Sequence, residues 1–180
     1  MEKTLNNYGH VIAKRAGTLL IVLFKENHEN NKSIDENIEA AKALCRNDQW
    51  LIGVEGYDFD AIGHIRLDTQ IGASIKFAQA LKSSGSRVYG IDSRRLSDQI
   101  LEDIVDEIFT GKIADHKNQH ERSRQFLINT CELIKKLDNC KALICCGARH
   151  VEDIANLLET EKIYSNYGYM IFQSTSYEMS

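Results

Sequence analysis

Two of the six histidines in this 180-residue chain follow directly on short apolar runs. His28 closes TLLIVLFKENH (residues 18–28), and His150 closes KALICCGARH (residues 141–150). Two further runs leave into carboxylates, WLIGV into Glu55 and RVYGI into Asp92. Neutral imidazole supplies nitrogen and carboxylate supplies negative charge, so His28, Glu55, His150 and Asp92 could together ligate a divalent metal such as Mn, Fe, Co or Zn. A metal so held would activate water. The same residues offer a route without metal: His28 acts as general base on water, Glu26 or Glu55 orients its ring, and a positive group faces the developing oxyanion. Both routes are hydrolytic, acting on an ester or amide bond of a small-molecule or peptide substrate.

Groups this far apart in sequence meet only if the fold brings them together. Five apolar runs, at residues 18–24, 50–54, 87–91, 141–146 and 167–175, alternate with segments of helical period. Such runs read as strands buried on both faces, and the helices between them supply the crossovers that parallel strands need. In SIDENIEAAKALCR, Ser33 and Glu36 have capping-box spacing, and Ile34, Ile38, Ala41 and Cys45 share one face. GASIKFAQALKSSG places Ile75, Ala78 and Leu81 on a stripe and stops at Gly85. Two successive helices break the alternation, one capped by Ser97 and carrying Ile100, Ile104 and Ile108, the next spanning about residues 115–137. VEDIANLLET is one more. The pattern predicts a single α/β domain over residues 1–180, a mostly parallel sheet of about five strands with helices on both faces. In such a sheet the carboxyl ends open on one side and ligands bind outside them, so KENH, VEGYD, GIDSRR and GARH should share one rim.

Composition narrows the partners. A net charge of -4 and a pI near 5.9, with no lysine–arginine stripe, give no electrostatic reason to bind nucleic acid. The seven-residue apolar run near the N-terminus is too short to span a membrane and lacks a cleavage pattern beyond it, which predicts a cytoplasmic protein without membrane contact. Five cysteines with no CxxC fit a reducing compartment; Cys145 and Cys146 read as small buried hydrophobes.

Position also bears on His150. It would begin a helix, where the positive end of the macrodipole keeps an imidazole neutral, with Gly147 making the tight turn before it. His116 and His120 lie four apart on a helix face that extends to Arg124, a spacing more typical of a solvated stripe than of a metal site. The segment YDFDAIGHIRLDTQ, with Asp58, Asp60, His64 and Asp68, is long enough to act as a lid but does not continue into a calcium-loop pattern. FTGK lacks the context of a phosphate loop, and Ser93 lacks a nucleophile elbow. Tyr164, Tyr167 and Tyr169 are expected on or beside an edge strand.

The ordered set resembles the superfamily that unites TraB and Tiki proteins, ChaN-like proteins and erythromycin esterases. The elements are Glu26 and His28 in KENH, Glu55 in VEGY, Arg122 in ERSRQF, and Gly147 with His150 in GARH. The likeness runs from about residue 18 to 172. It implies an α/β domain with its site at the strand ends, and roles for Glu26, His28, Glu55, Arg122 and His150 in that site. The implied activities differ by branch: metal-dependent proteolysis, ester hydrolysis, or haem binding without catalysis. A domain kept only for protein contacts is the remaining reading. Arg122 is favoured over Arg124 by the resemblance alone. Lys25 stands where the family motif has glycine, so the lysine is expected to offer its charge to the site in place of part of a metal's.

Overall fold

The computed structural model describes residues 1–46, 48–59, 74–111, 117–138 and 141–178. Its elements in chain order are α1 (Glu2–Leu5), β1 (Gly9–Arg15), β2 (Leu19–Glu26), α2 (Asn31–Cys45), β3 (Leu51–Asp58), α3 (Ile75–Ser83), β4 (Val88–Asp92), α4 (Arg94–Thr110), α5 (Lys117–Lys136), β5 (Lys141–Gly147), α6 (Ala148–Thr160), a 3-10 turn (Lys162–Tyr164) and β6 (Tyr167–Ser174). The strands form one α/β sheet in the order β1-β6-β2-β5-β3-β4. All neighbours are parallel except β1 and β6.

The strands β2, β3, β4 and β5 coincide with the apolar runs because each is covered on both faces. Alternation along β2 shows it: Ile21 and Leu23 pack with Phe126, Leu127, Val151 and Leu158 of α5 and α6, whereas Val22 and Phe24 pack with Ile34, Ile38, Phe77 and Leu81 of α2 and α3. Helices therefore lie on both faces, as expected. No helix among the described residues is long and apolar enough to cross a membrane.

The sheet has a sixth strand that the apolar pattern does not reveal. β1, GHVIAKR, is half-exposed along its length and pairs on one side only, with β6. An edge strand has no second face-to-face neighbour to satisfy and tolerates histidine, lysine and arginine, so it lacks a hydrophobic signature. β6 itself is interior, and Tyr167 and Tyr169 sit beside the edge strand as expected.

Two caps differ from the sequence expectation. The first residue outside α2 is Asn30, whose side chain accepts from the Ser33 N–H. Ser33 is instead buried with its hydroxyl 2.6 Å from that of Ser174, and Glu36 accepts from the Ser176 N–H and hydroxyl. Asn30 wins because an amide oxygen serves the cap as well as a hydroxyl does, which frees Ser33 for the core. Likewise α4 begins after Ser93, and Ser97 lies inside it with its hydroxyl on the Ser93 carbonyl and Asp92.

One irregularity shapes the functional rim. β3 leaves the β4 register between Val54 and Asp58, around Gly56 at φ 84°, a conformation that glycine adopts without steric cost. The displaced backbone crosses so close to β4 that a Cβ on Gly90 would lie 2.3 Å from the Asp58 carbonyl oxygen and 2.5 Å from that of Tyr57. Gly90→Ala is therefore expected to destabilise the fold by about 1–3 kcal/mol through overpacking against backbone, read as a lowered urea midpoint. An unchanged midpoint would mean that the bulge shifts freely.

Candidate functional site

Parallel pairing in register delivers the strand ends to one rim. Glu26, the last residue of β2, pairs with Gly147, the last of β5, and Val54 of β3 is level with Cys145 of β5 and Gly90 of β4. His28 follows β2 by two residues, Glu55 follows Val54, Asp92 ends β4, and α6 starts at once after β5, so that His150 falls in its first turn. Arg122 and Ser123 come from α5, which packs over this end of the sheet. His28 and His150, far apart in sequence, thus share a rim with Glu26, Glu55, Asp92 and Arg122.

Arg122 is the hub. Its Nε donates to Asp92 Oδ1 at 2.8 Å and its Nη2 donates to Asp92 Oδ2 and, at 3.1 Å, approaches Glu55 Oε1. Its Nη1 lies 3.3 Å from His150 Nε2. Backbone groups complete the carboxylates: Gly56 and Ser93 N–H donate to Asp92, and Gly147 N–H donates to Glu55 Oε2 at 2.8 Å. Bidentate pairing with these extra donors is what allows buried carboxylates to stay charged. Burial alone would raise the Asp92 carboxyl, but Arg122 and the two backbone donors outweigh it and hold it below the usual range.

His28 is the accessible member, with its side chain 35% exposed. Its Nδ1 lies 3.8 Å from Glu26 Oε1 and its Nε2 lies 3.9 Å from Glu55 Oε2. Glu26 is buried; Ser74 and the Cys145 thiol donate to its Oε2, while Oε1 has no hydrogen-bond partner among the described residues and faces the imidazole. Burial would raise the Glu26 carboxyl; the His28 ring and the donors on Oε2 hold it low instead. Glu26 in turn raises the His28 pKa above 6.5, against the opposing effect of burial. His150 moves the other way: burial pushes it down, and the nearby Glu55 opposes this only in part. The neutral ring expected at the start of a helix is therefore favoured mainly by burial. The two imidazoles are thus driven apart in basicity, a separation that suits one for proton transfer and the other for a neutral role.

Gly147 marks the centre of the cluster. At φ -57° its backbone is open to any residue, so a tight turn is not what requires glycine here. Nor is space, since a Cβ would make only ordinary van der Waals contact with the side chains that converge there, 3.4 Å from His28 Nε2, 3.6 Å from Glu55 Oε2 and 4.0 Å from His150 Cδ2.

Several expected participants lie elsewhere. Lys25 shares the face of β2 that carries Ile21 and Leu23, where Nζ is 3.6 Å from Glu152 of α6 and 5.1 Å from the Tyr177 ring centroid, so its charge goes to these groups and not to the site carboxylates. Its backbone stays in the ladder opposite Cys146 with no positive φ, which removes the need for glycine there. Arg124 pairs with Glu161, which leaves Arg122 as the arginine of the site. His120 is largely exposed and meets Asp153 at 2.8 Å. Asp58 accepts from the Arg94 N–H. His116, Asp60, His64, Asp68 and the lid expected around them lie outside the described residues. Cys145 and Cys146 are fully buried and burial pushes both thiols up, which agrees with their reading as small core residues. Four residues of the cluster escape sequence reasoning: Ser74, Cys145 as a donor to Glu26, Ser123 and Asp153. Ser123 and Asp153 sit one and three positions from recognised residues, but adjacency on a helix says nothing of which way a hydroxyl points.

The donor set of a divalent ion would be His28, Glu55, His150 and Asp92. Arg122 already takes the His150 Nε2 lone pair, a Glu55 oxygen and both Asp92 oxygens. Among the described residues no group of three or more His, Cys, Asp or Glu side chains is disposed to hold a metal. In this arrangement the residues do not fit the ion, because a guanidinium supplies the positive charge that the carboxylates need. No family model, curated protein or solved structure matches the chain.

Proposed function

We propose that the chain hydrolyses an ester or amide of a small molecule or peptide at this rim, with His28 as general base. With Nδ1–H turned toward Glu26, Nε2 takes a proton from water on the side of Glu55 and Gly147. The hydroxide formed attacks the substrate carbonyl carbon, and the imidazolium returns the proton to the leaving alkoxide or amine as the bond breaks. The 3.8 Å separation from Glu26 is of the loose kind that tightens when substrate binds. Arg122 faces the negative charge. Of its five N–H groups one is given to Asp92 from Nε, two lie on Asp92 and Glu55 from Nη2, and one on His150 from Nη1, which among the described residues leaves an N–H on Nη1 for an oxyanion. The observation that carries the reading is the convergence of His28, Glu55 and His150 on the space above Gly147.

The resemblance to the TraB, Tiki, ChaN-like and erythromycin esterase superfamily is part of this proposal and rests on the same residues. A metal-assisted version needs Arg122 to withdraw from Glu55 and His150. Hydrolysis of p-nitrophenyl acetate and of a dipeptide p-nitroanilide by the full chain, beside His28→Ala and with elemental analysis, tests the set. Turnover that depends on His28 and survives EDTA is expected. Stoichiometric metal with EDTA-sensitive turnover would establish the metal version, and a Soret band without turnover the haem-binding one. A chain showing none of these would be a domain for protein contacts.

The pH dependence follows from the geometry. A base must be neutral, and Glu26 raises the pKa of His28, so kcat/KM should climb with pH through a midpoint above 6.5. Glu26→Gln removes the carboxylate and should bring that midpoint down toward 6.5. A midpoint indifferent to Glu26→Gln would remove His28 from the role of base.

A further inference from the structure

A file of polar contacts leads from the site to the surface between α5 and α6. His150 Nδ1 lies 2.7 Å from Ser123 Oγ, which lies 2.8 Å from Asp153 Oδ2, and Asp153 Oδ1 lies 2.8 Å from His120 Nδ1. His150 and Ser123 are buried, Asp153 is mostly covered, and the His120 side chain is 69% exposed.

Counting protons along the file selects one tautomer. A carboxylate oxygen only accepts, so the single hydroxyl proton of Ser123 goes to Asp153, with the Gln119 carbonyl at 3.0 Å as a second acceptor of the same proton. Ser123 Oγ is then left to accept from His150, and Nδ1 must carry the ring proton. From the other side Arg122 Nη1, which only donates, lies 3.3 Å from Nε2, a longer contact that favours a lone pair there. Both neighbours favour the same form of the ring, and the shorter contact, 2.7 Å to Ser123 against 3.3 Å to Arg122, makes the hydroxyl the stronger determinant.

We propose that Ser123, whose hydroxyl proton is taken by Asp153 or by the Gln119 carbonyl, is a positioning residue that locks His150 in its Nδ1–H tautomer, so that Nε2 holds Arg122 against Glu55 and Asp92. The consequence for turnover rests on the hydrolase reading; the tautomer does not. Histidine ring nitrogen–proton correlation spectra of the full chain at neutral pH should show His150 as the Nδ1–H form alone. Ser123→Ala should lose that single form and lower kcat by about 10–100-fold, with KM within about threefold, whereas Ser123→Thr, which keeps a hydroxyl, should retain both. Asp153→Ala should keep the tautomer, because the Gln119 carbonyl can take the hydroxyl proton. A wild-type His150 in the Nε2–H form, or a Ser123→Ala chain that keeps either the tautomer or its kcat, overturns the proposal. A wild-type chain with the Nδ1–H form and no turnover would remove the hydrolase reading and leave the locked tautomer standing.

Discussion

Arg122→Met is expected to destabilise the protein by about 3–5 kcal/mol at neutral pH and to abolish turnover, the largest stability effect of any single change at the rim. The variant fills much the same space but leaves Glu55 and Asp92 buried without their counter-charge, and His150 Nε2 without its donor. Backbone N–H groups on Asp92 and Glu55 soften the loss without supplying a full charge. The sign of the pH dependence separates this from simple packing damage. Asp92 is held below its unfolded value of 3.8, so its pairing contributes stability above that value and loses it as pH falls through the lower folded value. The gap between wild type and Arg122→Met in urea unfolding should accordingly narrow under strong acid. A gap that is small at neutral pH, or that stays constant into acid, would show that Arg122 is not the charge partner of the site. Arg122→Lys should fall between the two, since an ammonium keeps the charge but cannot face Asp92 bidentately while also reaching Glu55 and His150.

His28→Ala should behave in the opposite manner, lowering kcat by about 10²–10⁴-fold while moving stability by less than about 1 kcal/mol. The ring is more than one-third exposed, and its nearest charged partner among the described residues is Glu26 at 3.8 Å, so the fold gains little from it. Glu26 keeps Ser74 and Cys145 as donors when the imidazole is gone. Stopped-time hydrolysis assays beside thermal unfolding would read both quantities on one preparation. Loss of stability comparable with that of Arg122→Met, with kcat intact, would make His28 a structural residue and end its assignment as base.

The parts of this molecule that could be read from sequence are those with a single physical cause. β2, β3, β4 and β5 are covered on both faces, and a strand so placed must be apolar throughout; the rim followed because parallel strands end together. His28, Glu55, Asp92 and His150 could be picked out as the polar residues that each run leaves into. What could not be read has two or more competing causes. β1 is half-exposed and pairs on one side, so its composition is that of a loop. Asn30 and Ser33 are both good caps, and the choice between them was made by Ser174, which lies at the far end of the chain. The two-residue alternation of β2 puts Lys25 on the α5 and α6 side, which also carries Arg122 and His150, so its pairing with Glu152 and not with the site carboxylates was beyond the reach of the pattern. Ser123 and Asp153 matter through hydroxyl and carboxylate direction, which spacing does not encode.

The placement of β6 between β1 and β2 has a bearing on how the protein is made. During synthesis β1 and β2 emerge early, and the strand that joins them emerges only after α6. Until then β2 presents a bare apolar edge on that side, a target for chaperones and for misassembly with other nascent chains. Such distant pairing slows folding, so the rim bearing His28 should acquire its final geometry late, only once α6 and β6 have emerged.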